Sequence, residues 1–284
     1  GFASRFDLEP SQLEIRDTSK GPFVFARVLE KGLSTRDLIC EMIPDWLGSV
    51  QGRRFMRWSD GERRFSRPLR WIVALLDNTL IPVSFRDTNP HISSGHLSKG
   101  NRLYRDSVDI PSAGEYVSIM TNVGVHVDRN KRKNHIRDLI NDASLALTAT
   151  PDLSDELLEE LTDLVESPML IKGNFDESFL DLPTEVLCTV MRVHQRYVPL
   201  YIADKSEDLL VMNARKTLLP SFLCISNGLP SAKEAIKLGN ERVLKARLAD
   251  AEFFVNADLS ITSQDRSKRL NSVTFTEGLG TLFD

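Results

Sequence analysis

Arginines and aromatic residues are interleaved between residues 51 and 70, in a pattern that suits contact with phosphate groups. Only Asp60 and Glu62 oppose the positive charge of this stretch. The guanidinium group offers a rigid fork of donors that matches phosphate oxygens, and aromatic rings can stack on unpaired bases. In the alternative interpretation, the rings point into a core and the arginines into water. The candidate contacts are Arg53, Arg54, Arg57, Arg63, Arg64 and Arg67, and the interleaved rings are Phe55, Trp58 and Phe65.

Three other basic positions are candidates for the same kind of contact. They are Lys131, Arg132 and Lys133 at the start of a predicted helix, Arg196 at a predicted helix-to-strand junction, and Arg242, Lys245 and Arg247 in the segment 237–254. For the last group, ion pairs with Asp250 and Glu252 within one helix are the alternative. The net charge of −4 argues against a basic coat over the whole chain, but phosphate binding depends on where the cations lie.

Sequence patterns for enzyme chemistry are absent. There is no P-loop, no dinucleotide-binding glycine pattern, no GxSxG, no HExxH and no CxxC. The three cysteines are far apart and lie in apolar runs, so we expect reduced core thiols. The many carboxylates of residues 152–166 belong to a solvated helix face, although a basic partner could cover them. We therefore predict no catalytic residue, no metal site and no cofactor on this chain.

The elements that position these residues alternate irregularly between strands and helices. For residues 1–112 we predict a hairpin over 11–30, a helix over 34–47 that Ser34 caps and Pro44 kinks or ends, strands over 69–76 and 79–85 joined by Asp77-Asn78, and a loop over 86–112. The irregular alternation favours the α+β class, with a mixed or antiparallel sheet flanked by helices, over a doubly wound parallel sheet.

The second half of the chain is more helical. For it we predict helices over 131–147 and 154–165, a strand over 169–171, a helix from the candidate cap Asp181 to Val193, strands over 196–201 and 219–226, and a helix over 231–257 that Gly239-Asn240 interrupts. In that last helix we expect the apolar residues Leu238, Val243, Leu244, Leu248, Phe253 and Phe254 to face the core.

Several strings of the sequence, taken in order from about residue 21 to the end, resemble the β subunit of the heterotetrameric bacterial glycyl-tRNA synthetases. The family usually follows its Gly-His with Arg-Phe, whereas Gly95-His96 is followed here by Leu97-Ser98. The cyanobacterial and plastid branch is the most similar. The strings are Met56-Arg-Trp58, Phe65-Ser-Arg-Pro-Leu-Arg-Trp-Ile-Val-Ala-Leu-Leu76, Val165-Glu-Ser-Pro168, Phe179-Leu-Asp-Leu-Pro183, His194-Gln-Arg-Tyr197, Leu219-Pro-Ser-Phe222, Gly239-Asn-Glu-Arg-Val-Leu244, Arg247-Leu-Ala-Asp-Ala-Glu-Phe-Phe254 and Leu279-Gly-Thr-Leu282.

This resemblance implies a part in the ATP-dependent attachment of glycine to its tRNA. In the family, the α subunit carries the class II catalytic core, so ATP and Mg²⁺ are expected there, and the β subunit binds tRNA within an α2β2 assembly. The location would be the cytoplasm, or the plastid stroma in a plant. The resemblance implies an N-terminal subregion over 1–50 and a domain over 51–284 similar to the B3/B4 domain of phenylalanyl-tRNA synthetase. We expect the chain to be a fragment that stops before an HD-like domain.

Three hypotheses for the function follow. A tRNA-binding and assembly module predicts a basic face flanked by aromatic rings. A hydrolytic editing domain acting on misacylated tRNA predicts a formed pocket with polar groups around an ester, although the smallness of glycine makes a second sieve less necessary. A structural interface to the α subunit predicts an exposed apolar patch.

Overall fold

In a computed structural model of the chain, the structure describes residues 1–29, 32–58, 61–86, 88–103, 107–202, 218–276, 278 and 280–283. The chain forms two compact units, Gly1–Leu97 with Pro111–Ala113 and Ser98–Ile110 with Gly114–Asp284. The boundary at residue 50 that we expect from the sequence stays a prediction. The predicted loop 86–112 includes Asp87 and residues 104–106, and the resemblance includes Leu279, all outside the described residues.

Within its described residues, the first unit contains one α-helix and short strands. They are β1 (Leu13–Thr18), β2 (Gly21–Ala26), α1 (Thr35–Ser49), β3 (Met56–Arg57), β4 (Arg64–Phe65), β5 (Ile72–Val73), β6 (Leu75–Leu76), β7 (Thr79–Leu80), β8 (Ser84–Phe85) and β9 (Ile92–Gly95). The β1–β2 hairpin and the turn at Asp77-Asn78 between β6 and β7 are confirmed. The predicted long strands are wrong, because Pro82 has no backbone N–H for a ladder and the pairing breaks into two-residue pieces.

Helix α1 is capped as predicted but does not end at Pro44. The Ser34 side chain accepts a hydrogen bond from the Asp37 N–H, and the helix continues to Ser49. Its residues Ile39, Ile43 and Leu47 pack against a buried cluster of Ala74, Ile81, Val83 and Phe85. Burial of this face on both sides of Pro44 offsets the hydrogen bond that proline cannot make.

The second unit is built on a four-stranded sheet in which every neighbouring pair is antiparallel. Its order is β12-β14-β15-β13. The strands are β12 (Ala149–Pro151), β13 (Met169–Asn174), β14 (Val198–Ile202) and β15 (Leu218–Ser226), and the helices are α2 (Tyr116–Asn122), α3 (Arg129–Ala146), α4 (Asp155–Leu164), α5 (Thr184–Thr189), α6 (Lys233–Leu259) and α7 (Ser263–Lys268). A short pair, β10 (Leu97–Lys99) with β11 (Ser107–Asp109), and strand β9 occupy the part of the chain predicted as a loop, so that prediction is wrong.

Strand β15 contributes alternate side chains to two cores. Phe222 and Cys224 belong to a cluster with α5 and α6 on one face of the sheet. Leu223 and Ile225 belong to a second cluster, with α3 and α4, on the other face. Because successive side chains of a strand point to opposite faces, the four-stranded sheet is covered by helices on both sides.

Two helix predictions in this unit need correction. The helix after Leu182 has Pro183 at its N-cap, whereas Asp181 ends a preceding 3₁₀ turn, Glu177–Asp181, and does not cap it. A π-helical turn, Val190–His194, follows α5. Helix α6 runs without interruption through Gly239-Asn240, since the Asn240 side chain donates to the Cys224 Sγ at 3.4 Å and fixes this turn on the sheet.

Most of the apolar residues expected on the inner face of α6 are exposed instead. Leu244 and Leu248 are buried as predicted, one turn apart. The prediction is wrong for Leu238, Val243, Phe253 and Phe254, whose exposed fractions range from 45% to 68%. The stripe of α6 that packs on the core contains Ile236, Leu244, Leu248 and Val255, and the four exposed residues lie beside this stripe or on the opposite side of the helix.

The coarse fold class is confirmed as α+β with mainly antiparallel pairing among the described strands, while the pair β5–β9 is parallel. The predicted likeness to the B3/B4 domain stays a prediction. Within the residues that the structure describes, none of the helices has the length and apolar character needed to traverse a bilayer.

At two glycines, we expect substitution by alanine to change the free energy of unfolding in opposite directions. A Cβ on Gly173 would overlap the ring of Phe222, which is fully buried and stacked on Tyr197 at 4.5 Å. Gly173→Ala should lower the free energy of unfolding by about 1–3 kcal/mol. In α6, a Cβ on Gly239 meets nothing within 4 Å, so Gly239→Ala should raise it by up to about 1 kcal/mol. Urea unfolding monitored by circular dichroism measures both changes. Equal changes in the free energy of unfolding for the two variants would contradict this packing.

Candidate nucleic-acid interface

Two arginines lie directly opposite each other on the short antiparallel pair β3–β4. The pair aligns Met56 with Phe65 and Arg57 with Arg64. Both arginine side chains are exposed. Residues opposed in this way have Cβ atoms about 5 Å apart, and like charges in such a pair are destabilising. An anion that binds both guanidinium groups would relieve that repulsion.

Five arginines at and around this position are exposed. They are Arg53, Arg54, Arg57, Arg64 and Arg67. None of them has an ion-pair partner among the described residues. We call these five residues the arginine face. Glu62 is the nearest acidic residue along the described chain, and it is exposed as well. The arginine face therefore has a positive charge that the fold leaves available to a ligand.

The aromatic residues beside the arginine face are half-buried. The Trp58 indole donates to the Phe65 carbonyl at 3.0 Å, which ties the residue after β3 to β4. Phe55 packs on Gly52, where a Cβ would come within 2.5 Å of the ring. Phe55 and Phe65 line a groove of about 530 Å³ together with Arg53 and Arg64. The rings thus take part in the fold and also reach the surface that the arginines line.

Arg63 differs from its neighbours because its guanidinium group is engaged inside the first unit. It lies over the Phe85 ring, 4.5 Å from the centroid, and donates to the Pro44 carbonyl at 3.0 Å. A cation over an aromatic face is worth about 0.5–2 kcal/mol. Arg63 therefore holds α1 against the core of this unit and has little freedom to follow a ligand.

The basic residues at the start of α3 are mostly paired with α4. Arg132 donates to the carbonyls of Thr162, at 3.0 Å, and His126, and the Lys133 ammonium pairs with Glu159. Lys131 is exposed and has no side-chain partner within the described ranges.

Arg129, which the sequence analysis missed, has two carboxylate partners on α4. Its guanidinium donates to Asp163 at 2.7 and 2.8 Å and to Glu159 at 2.5 Å. The hydrogen bond from Arg129 lowers the pKa of Asp163, and the bonds from Lys133 and Arg129 lower the pKa of Glu159. Carboxylates on the acidic face of α4 are thus paired with cations of the same chain. Only the approach of α3 to α4 reveals this pairing, since the partners are about 30 residues apart in sequence.

Arg196 also has internal partners. It adopts the left-handed backbone conformation, with a φ of 58°, directly before β14. Its Nε donates to Glu160 at 2.7 Å, and its Nη1 donates to the Val193 carbonyl. These contacts tie the end of the π-helical turn to α4.

The basic residues of α6 are exposed. Arg242 and Lys245 have no ion-pair partner among the described residues, and Arg247 lies 4.0 Å from Asp250 in an exposed pair. Such a pair contributes at most about 0.5 kcal/mol. Of the sequence-predicted cations, the described part of the fold therefore leaves open the arginine face in the first unit, and Lys131 and these residues in the second.

Groups suited to metal or acid–base chemistry are sparse. Among the residues described, no three side chains of His, Cys, Asp or Glu come together as metal ligands would. The buried thiol of Cys224 has its pKa raised to about 11 by desolvation. Burial also raises the pKa of Cys188, whose Sγ lies 3.1 Å from the Tyr201 hydroxyl. Thiols with raised pKa values are poor nucleophiles at neutral pH.

Comparison with known proteins identifies the chain's relatives. A family model described as glycyl-tRNA synthetase beta subunit matches residues 1–284. The chain is 41% identical to the glycine–tRNA ligase beta subunit of Gloeothece citriformis over 285 residues, which cover 100% of this chain and 39% of the relative. It is 40% identical to the protein of that name from Trichodesmium erythraeum, covering 99% of this chain and 38% of the relative.

A more distant relative carries the same name. The chain is 36% identical to the glycine–tRNA ligase beta subunit of Syntrophotalea carbinolica, covering 100% of this chain and 39% of the relative. The chain thus spans about two fifths of the length of these curated relatives. Because both the family model and the relatives cover the whole chain, the chain belongs to the glycyl-tRNA synthetase beta subunit family.

Proposed function

We propose that this chain is a tRNA-binding and assembly part of a glycine–tRNA ligase, an enzyme that attaches glycine to its tRNA with ATP. The observation that supports tRNA contact is the opposition of Arg57 and Arg64 on β3–β4. One phosphate of the RNA backbone bound between them would convert a repulsive pair into two charge-assisted hydrogen-bond donors. The rest of the arginine face would contact neighbouring phosphates.

The relatives' names support the choice of RNA as the ligand. These proteins are beta subunits of glycine–tRNA ligases, so we propose that glycine tRNA is the RNA bound by this chain. We also propose an α subunit as partner, with ATP and Mg²⁺ on that subunit, in an α2β2 assembly in the cytoplasm or the plastid stroma. A likeness to the B3/B4 domain belongs to the same proposal.

Binding is favoured over hydrolytic editing by the residues that line the groove. They include one carboxylate, Glu62, and neither histidine nor cysteine. General acid–base chemistry at an ester needs groups whose pKa values are pushed apart by their surroundings. A single exposed carboxylate does not supply such a pair.

A second function, contact with another protein chain, is supported by helix α1. Leu38, Met42 and Trp46 recur at intervals of four residues and are 39%, 41% and 52% exposed. They lie beside the row of Ile39 and Ile43 that packs on the core. An exposed apolar row on a helix suits a protein partner, and tryptophan is enriched among residues that dominate interface energies. The α subunit is the partner that we propose for this row.

Removal of the opposed arginines should weaken tRNA binding and its dependence on salt. We expect Arg57→Ala with Arg64→Ala to reduce affinity for glycine tRNA about 3- to 30-fold near 0.15 M salt. The slope of log K against log salt should become shallower by about 0.7–0.9 for each phosphate that the variant no longer binds. Filter binding across a salt series measures both quantities.

The matched control removes two exposed arginines elsewhere in the first unit. Arg5→Ala with Arg27→Ala changes the net charge equally and leaves the arginine face intact. This control should retain most of the affinity and the full salt slope. If both double variants lose affinity equally, binding follows net charge alone and the proposed face is wrong.

The neighbouring residues Arg63 and Arg64 should differ in how much they contribute to stability. Arg63→Ala removes the contact with Phe85 and the bond to Pro44, so it should lower the free energy of unfolding of the first unit by about 1–3 kcal/mol. Arg64→Ala should leave it within about 0.5 kcal/mol. Tryptophan fluorescence during urea unfolding measures this, because the chain's three tryptophans, Trp46, Trp58 and Trp71, all lie in that unit. A larger loss for Arg64→Ala than for Arg63→Ala would contradict these roles.

A further inference from the structure

A separate cavity of about 430 Å³ lies in the second unit, where β13 begins and β15 ends. Its walls come from the loop before β13, the loop after β15, the start of α6 and one turn of α3. A volume of this size is within the range of small-molecule sites, about 300–1,000 Å³. None of the arginine face belongs to it.

The cavity is held open by hydrogen bonds to one amide oxygen. The Asn227 Oδ1 accepts from the backbone N–H groups of Glu166 at 3.0 Å and Ser167 at 2.9 Å, and from the Asn101 Nδ2 at 3.2 Å. Asn101 is itself only 2% exposed, and its Oδ1 accepts from the Leu103 N–H at 3.1 Å. Three separate stretches of chain are thereby fixed to one another, so a ligand would not have to order them on binding.

Among the described residues, the polar groups that remain available at this cavity include three donors and no acid. The Asn227 Nδ2 and the Lys233 ammonium have no partner among the described residues, and neither does the Ser167 hydroxyl. All three residues line the cavity, and the described part of its lining includes neither Asp nor Glu. Lys233 is also the first residue of α6, where the helix dipole disfavours a positive charge. An anion beside Lys233 would pair with its ammonium group and would interact favourably with the positive end of the helix dipole.

Most of the remaining lining is apolar, from residues such as Leu103, Leu139, Met169 and Leu229. Binding at such a wall is strengthened by an apolar ligand body that displaces water. A cationic ligand would meet Lys233 and no carboxylate of the described lining, so these residues select against it.

We propose that this cavity binds a small ligand with an apolar body and a carboxylate end. The carboxylate pairs with the Lys233 ammonium and accepts a hydrogen bond from the Asn227 Nδ2, while the body lies along the leucine and methionine side chains. The site does not depend on the arginine face, and it would stand if the tRNA proposal failed.

The test compares a carboxylate with its neutral amide on the full chain. The probes are 3-phenylpropanoate and 3-phenylpropanamide, and the signals are the backbone amide resonances of Ser167 and Gly228 in ¹⁵N-edited spectra. We expect saturable shifts for the carboxylate at millimolar concentrations, with the amide binding about 5- to 10-fold more weakly, as one charge-assisted contact implies. Absence of saturable shifts at these residues, or equal binding of both probes, would overturn the proposal.

Two lysine variants on the same helix identify the charged partner. Lys233→Met should reduce carboxylate binding to the level of the amide, whereas Lys237→Met, one turn later and outside the cavity lining, should leave it unchanged. Lys233 is exposed and Lys237 is half-buried, and neither side chain makes a hydrogen bond or ion pair with the described residues, so neither change should prevent folding. An equal loss of carboxylate binding in the two variants would mean that the general positive charge of α6 causes the effect. That result would contradict the site.

Discussion

The alternation of side chains along β15 is the constraint on which the second unit depends. Phe222 and Leu223 are both 0% exposed, and they belong to different cores on opposite faces of the sheet. A slip of one residue would exchange the two faces and leave both cores wrongly filled. This register fixes β15 against β13 and β14. It thereby also fixes the loop after β15, whose Asn227 organises the cavity beside Lys233.

The distribution of cations follows from what the fold requires of each one. Arg129, Lys133 and Arg196 neutralise carboxylates of α4, and Arg63 fixes α1 in the first unit. These side chains would have to break existing contacts before they could bind RNA. The arginines that the fold does not use are therefore better candidates than an equal number of arginines chosen from the sequence. A count of Lys and Arg along the chain cannot make this distinction, because the partners are far away in sequence.

Local patterns predicted those elements whose signals are local. Ser34 and the apolar period of 154–165 gave helices, and Asp77-Asn78 gave a two-residue turn. The course of α6 through Gly239 was not predictable in this way, because the contact of Asn240 with Cys224 that fixes this turn depends on the sheet. Phe253 and Phe254 are exposed because they lie off the stripe of Leu244, Leu248 and Val255 that packs on the core, and the position of the sheet decides which stripe of the helix is buried. For the site, the arginine stretch was visible in the sequence, but the direct opposition of Arg57 and Arg64 required the pairing of β3 with β4.

The central claim is that one phosphate of the RNA is shared between Arg57 and Arg64. A double-mutant cycle tests it most directly, with glycine tRNA affinity measured for the unchanged chain, Arg57→Ala, Arg64→Ala and the double variant at one salt concentration. If the two guanidinium groups bind the same phosphate, we expect a coupling free energy of at least about 0.5 kcal/mol, because loss of either arginine removes part of the contribution of the other. Additive losses, within about 0.3 kcal/mol, would show that the two arginines act independently and would contradict the shared site.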